Sequence, residues 1–122
     1  MAAKDELGRR GEAVAVEYLT RKGLVVLDRN WRCRAGEIDV VATERGRDPA
    51  RLVVCEIKTR SGTRYGEPAE SVTALKASRI RQVTRAWLAA HAVDWCEIRF
   101  DVVAVVMRPG AEITLRHYED AF

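Results

Sequence analysis

Apolar positions along this chain follow two different periods. Residues 5–22 and 71–91 repeat every three to four positions, which predicts two amphipathic helices. Leu24–Asp28 (extending toward Trp31), Gly36–Thr43, Leu52–Thr59, Ile98–Met107 and Ile113–Tyr118 are short and rich in β-branched residues, which predicts strands. Breakers fall between these runs. Asp5 is placed to cap the first helix and Gly23 to end it. The polar run 44–51 (ERGRDPAR) suits a hairpin loop, 60–70 (RSGTRYGEPAE) is a basic loop carrying Tyr65, and Pro109-Gly110 marks a turn. Helix, three strands, helix and two strands predict an α/β fold, a mixed central sheet of about five strands flanked by helices. The 122 residues suit one domain, 1–122.

Charges inside the strands alter this picture. Glu56 and Lys58 share a strand face with Leu52 and Val54, and Asp39 shares one with Glu37 and Val41. Pairing symmetric about the 44–51 loop sets Val41 opposite Val54, Asp39 opposite Glu56, and Glu37 opposite Lys58. Directly opposed residues lie roughly 4.5–5.5 Å apart at Cβ, where like charges repel. Two carboxylates so placed share a proton or a cation. Mg²⁺ suits such a pair, keeping several waters and taking phosphate oxygens. The competing reading is a solvated face with a Glu37–Lys58 ion pair.

The helices add further candidates. On the first, Glu12 lies within the stripe of Gly8, Ala15, Val16 and Leu19, and Gly8 and Gly11 leave space beside it. It is either a third inward acid or a side chain reaching out to water. On the second, Val72, Leu75, Val83, Ala86, Trp87 and Ala90 form a stripe that includes Lys76 and Arg79 in its first half. Those two cations either reach a phosphate past the sheet edge or lie along apolar surface. Gln82 flanks the stripe, where an amide can orient a water, and Arg81 and Arg85 face solvent.

Composition narrows the class. With 48% hydrophobic and 32% charged residues, the chain reads as soluble and globular. No apolar run is long enough to span a membrane, and the start lacks the core of a signal peptide. Cys33, Cys55 and Cys96 are odd in number and widely spaced, with no C-x-x-C, which favours reduced thiols in a cytoplasmic protein over disulfides or a zinc site. Net charge is +3, with seventeen arginines against four lysines. Arginine favours bidentate phosphate contact, so the balance leans modestly toward nucleic acid.

Gly11-Glu12, Gly36-Glu37-Ile38-Asp39 and Glu56-Ile57-Lys58-Thr59-Arg60, in that order, resemble the PD-(D/E)xK nuclease superfamily. More narrowly, the chain resembles the YraN-like family of small bacterial proteins related to archaeal Holliday-junction resolvases. The likeness includes Tyr65-Gly66-x-Pro68, Phe100-Asp101 and Ala121-Phe122; the superfamily's proline before its first acid is absent, Ile38 standing there. The resemblance implies a restriction-endonuclease-like core. It makes Asp39, Glu56 and Glu12 the metal-binding acids, with Mg²⁺ or Mn²⁺ as cofactor, and Lys58 the catalytic lysine. Arg60, Arg64 and Tyr65 are then placed to meet a nucleic-acid backbone and base, with DNA expected over RNA. Glu37 takes an ion pair or orients a metal-bound water. Junction resolvases suggest a homodimer by analogy. The alternatives are a non-catalytic nucleic-acid-binding module of the same fold and a protein–protein adaptor.

Overall fold

The computed structural model describes residues 3–62, 72–94 and 96–122, with side chains from Glu6 onward. Helix α1 spans Ala3–Arg21, followed by strands β1 (Leu24–Cys33), β2 (Gly36–Glu44) and β3 (Arg51–Arg60). Helix α2 (Ala74–Ala90) then leads to β4 (Glu97–Val106) and β5 (Thr114–Tyr118). The strands form one five-stranded sheet in the order β1-β2-β3-β4-β5. Only β3 and β4 run parallel, because α2 carries the chain across between them; the other pairs are antiparallel. This is the expected mixed sheet flanked by helices. Among the described residues, no helix is long and apolar enough to cross a membrane.

Boundaries differ from expectation in three places. Helix α1 begins before Asp5, so Asp5 lies within its first turns rather than capping it. Gly23 ends α1 as expected, at φ 104°, a left-handed value that a side chain would resist. Val72 and Thr73 precede α2 rather than joining it, and Thr73 caps it by accepting the Lys76 N–H at 3.1 Å. Strand β1 runs on through Cys33 and turns into β2 over Arg34 and Ala35.

Each helix covers one face. Ala15 and Leu19 of α1 pack with Val40, Ala42, Val53, Cys55, Val103 and Val105. Ile80, Val83, Trp87 and Leu88 of α2 pack with Ile38, Val41, Leu52 and Val54. The buried stripe of α2 is thus rotated from the expected one. Ala77, Ile80, Val83, Thr84, Trp87 and Leu88 face inward, while Leu75 is 70% exposed and Ala90 is also exposed. Thr84 tolerates burial because its hydroxyl donates to the Ile80 carbonyl one turn back, at 2.8 Å. Trp87 needs a partner for its indole N–H, and Asp28 Oδ2 accepts it at 3.0 Å. A register shift between Val26 and Asp28 on β1 directs that carboxylate inward and leaves Leu27 exposed. Arg81 is not simply solvated: its guanidinium lies 5.0 Å from the Phe100 ring.

A second buried acid ties β5 to the rest. Asp101 on β4 is fully buried. It accepts from Arg99 Nε at 2.9 Å and Nη2 at 2.8 Å, and from the Asp120 N–H at 3.0 Å, and it meets His117 Nε2 at 2.7 Å. Burial alone would raise its pKa, but these bonds outweigh burial and leave it at about 2. The cysteines are all free thiols, Cys55 being buried. We expect Asp101→Ala to destabilise the fold by about 3–5 kcal/mol in urea unfolding, because Arg99 and His117 lose a buried partner. A loss below about 1 kcal/mol would show that the network is dispensable.

Candidate metal centre

The pairing of β2 with β3 has the expected register, Val41 lying opposite Val54, but it stops at Val40–Cys55. Beyond that point the strands diverge. Asp39 Oδ2 takes over as acceptor for the Ile57 N–H, at 2.8 Å. A side chain thus replaces the missing rung and holds the Asp39 carboxylate against β3, next to Glu56. The opposition of Glu37 and Lys58 does not form. Glu37 instead forms an ion pair with Arg32, its cross-strand neighbour on β1. Its charge still reaches Asp39 and raises that acid's pKa.

Glu56 is the most constrained acid here. Its side chain is 8% exposed, its Oε2 has no hydrogen-bond partner, and its Oε1 lies 3.9 Å from Lys76 Nζ. Burial, then the Asp39 charge, pushes its pKa up to about 7, and the Lys76 and Lys58 charges only partly offset them. Asp39 shifts upward as well. Burial is the main cause, opposed by the Ile57 N–H and reinforced by Glu12 and Glu37. Lys58 is pushed down to about 8 by burial and by the neighbouring Lys76 ammonium, against the pull of Glu56 and Asp39.

Glu12 comes to this group from α1. Its helix passes close to β3 because position 11 has no side chain: a Cβ built on Gly11 would fall 2.6 Å from Thr59 Cγ2 and closer still to Oγ1. Glu12 Oε1 is buried without a hydrogen bond, with Arg29 Nη2 at 3.9 Å. Two orphaned buried carboxylate oxygens and a mutually repelling pair of acids form a donor set that fits a hard divalent cation such as Mg²⁺ or Mn²⁺. The residues able to hold it are Asp39, Glu56 and Glu12.

The cationic candidates divide. Lys76 and Arg79 line a cleft of about 340 Å³ with Gly36, Glu37, Glu56 and Thr73. Arg60 ends β3, where its carbonyl accepts the Met107 N–H at 2.8 Å. Gln82 is exposed rather than lining the core, because the buried stripe of α2 is rotated away from it. Arg64 and Tyr65 lie outside the described residues.

A second cluster escaped the sequence reading. One ligand atom each of Cys55, Asp101 and His117 lie within 4.8 Å of one another, a tighter set than the three acids make. Its bonding is complete without a cation. Asp101 is occupied as described, His117 Nδ1 faces the Tyr18 hydroxyl at 3.1 Å, and burial keeps the Cys55 thiol protonated. Its visible signal was Asp101 set in an apolar strand, two residues after Arg99 on the same face.

A two-helix, five-strand α/β protein with acids gathered at the end of one strand pair is the class these features define. Comparison of the chain with known proteins narrows this. It belongs to the uncharacterised protein family UPF0102, whose profile matches residues 11–105. It is 51% identical over 122 residues to a UPF0102 protein of Frankia alni, covering all of this chain and 98% of the relative. A UPF0102 protein of Kineococcus radiotolerans is 52% identical over 116 residues, 94% of this chain and 92% of its own. One from Acidothermus cellulolyticus is 47% identical over 131 residues, covering 99% and 96%.

Two expectations follow from the geometry. With metal chelated, folded Glu56 holds its proton to a higher pH than the unfolded chain does, so stability should fall as pH rises from about 4.5 to about 7. Glu56→Gln should remove that decline, the wild type losing on the order of 1–3 kcal/mol relative to the variant across the window. Parallel pH profiles for the two proteins would contradict the assigned burial cost. Separately, Gly11→Ala should cost about 1–3 kcal/mol through overpacking and weaken Mn²⁺ binding by displacing Glu12. Thr59→Gly in that background should restore both, and failure of the rescue would remove the Gly11–Thr59 approach as the cause.

Proposed function

We propose that this protein is a divalent-metal-dependent nuclease of the PD-(D/E)xK superfamily, a relative of junction resolvases, acting in the cytoplasm on structured or branched DNA. The whole chain, 1–122, then serves as one soluble nuclease domain. The observation that carries the reading is Glu56: a nearly fully buried carboxylate with an unpartnered oxygen, pressed against Asp39 and followed two residues later by Lys58. A purely structural acid at that depth would have its bonds completed, as Asp101 does.

Asp39, Glu56 and Glu12 hold the cation, which supplies charge stabilisation at a phosphoryl oxygen and a lowered pKa for water. The chain's own residues do the remainder. Lys58, partly desolvated and beside both acids, positions the attacking water or neutralises charge developing on the phosphate. Arg79 lines the cleft beside Glu56 and Arg60 ends β3 two residues after Lys58, which places both guanidinium groups to meet the nucleic-acid backbone. A second reading, a binding module without turnover, draws on Lys58 and Lys76, whose neighbouring like charges an anion would stabilise.

A screen of labelled duplex, branched and single-stranded DNA and RNA, with and without divalent ions, separates these readings. Cleavage that needs Mg²⁺ or Mn²⁺ and disappears in Lys58→Ala, while metal still raises the melting temperature of that variant, supports the nuclease. Asp39→Asn should lose the thermal gain itself, since the gain is binding to the folded state alone. Salt-sensitive binding without cleavage of any substrate supports the binding module. A melting temperature unmoved by millimolar metal would falsify the shared premise of a cation site.

A further inference from the structure

The proximity of Lys76 to Glu56 goes beyond a phosphate contact at the sheet edge. Lys76 sits in the first turn of α2, its backbone N–H held by the Thr73 hydroxyl, and its ammonium lies 3.9 Å from Glu56 Oε1. That is an ion-pair distance without hydrogen-bond contact. The same ammonium adjoins Lys58. A lysine choosing its position for attraction alone would not approach a second lysine; its location is set by the carboxylate it faces. Glu56, meanwhile, keeps Oε2 unpartnered. The 340 Å³ cleft lined by Glu37, Thr73, Lys76 and Arg79 leaves the Lys76 side chain, 36% exposed, room to leave Glu56 without moving the helix.

We propose that Lys76 is a placeholder cation: in the metal-free protein its ammonium partly neutralises Glu56, and a divalent ion arriving at Glu56 displaces it into the cleft beside Arg79. The inference rests on the cation site argued under Proposed function and adds a role for a residue outside the ligand set. The metal-free site carries a monovalent, mobile counter-ion, whereas the loaded site carries the divalent ion and sets free a cation for phosphate oxygens. Loading of metal and capture of an anion thus become linked through one side chain. Lys76 acts through Glu56 and is a positioning residue.

The test is Mn²⁺ binding by isothermal titration calorimetry with the full chain, in the absence of nucleic acid. Removing a competing cation should tighten binding. Lys76→Met and Lys76→Gln are both expected to lower the Mn²⁺ Kd by roughly three- to tenfold, the range for a partly exposed charge pair at this distance. Arg79→Met removes a charge from the same cleft without a Glu56 contact and should change Kd less than twofold. Without metal, both Lys76 variants should melt below wild type, and they should gain more from saturating Mn²⁺. Using two variants guards against one that fails to fold, which circular dichroism identifies. Weaker or unchanged Mn²⁺ affinity in folded Lys76 variants, with wild type binding normally, overturns the placeholder role alone. Absence of Mn²⁺ binding to wild type overturns the cation site on which it rests.

Discussion

Two carboxylates forced together where a β-ladder ends set the character of this molecule. Pairing of β2 and β3 stops one residue short of Asp39 and Glu56. The Asp39 side chain then supplies the hydrogen bond the backbone no longer makes. That bond holds the half-buried Asp39 carboxylate beside the buried Glu56. Burial is the largest cause of the upward pKa shift of both acids, and neighbouring carboxylates add to it: Glu12 and Glu37 at Asp39, Asp39 at Glu56. Lys76 and Lys58 offset the conflict at Glu56 only in part.

The opposite end of the sheet shows what the same residue types do without such a conflict. There Arg47, Arg51 and Arg99 share the carboxylates of Glu44, Glu97, Asp101 and Glu119 in a continuous ion-paired network. Every acid in it faces guanidinium, and the pKa values of Glu44, Asp101 and Glu119 move down rather than up. The fold therefore separates a self-compensated end, which ties the strands together, from an end with excess acid inside and excess base at its rim.

Much of this was legible in the sequence because periodicity and breakers report local preferences. The described elements and the shared face of Glu56 and Lys58 came from side-chain period, the β2–β3 register from symmetry about the 44–51 loop, while period left Glu12 open between an inward and an outward reading. Features that depend on a non-local neighbour did not. The partner of Glu37 is on β1, which a single hairpin cannot reveal, so Arg32 was missed. The α2 stripe turned because Ala77, Thr84 and Ile80 satisfy the packing that Leu75 seemed to offer; a small residue and a self-bonded threonine look less apolar than they behave. Asp101 was visible as an acid in an apolar strand with Arg99 on its face, but its other partners lie on β5 and past its end. The relation of Lys76 to Glu56 needed the packing of α2 against the sheet.

A crystal soaked in MnCl₂ and measured at a wavelength where manganese scatters anomalously tests the central claim most directly. The account predicts a strong anomalous peak about 2.0–2.3 Å from carboxylate oxygens of Asp39 and Glu56, with Glu12 turned toward it. No peak there, or a peak at Cys55, Asp101 and His117 instead, would contradict it.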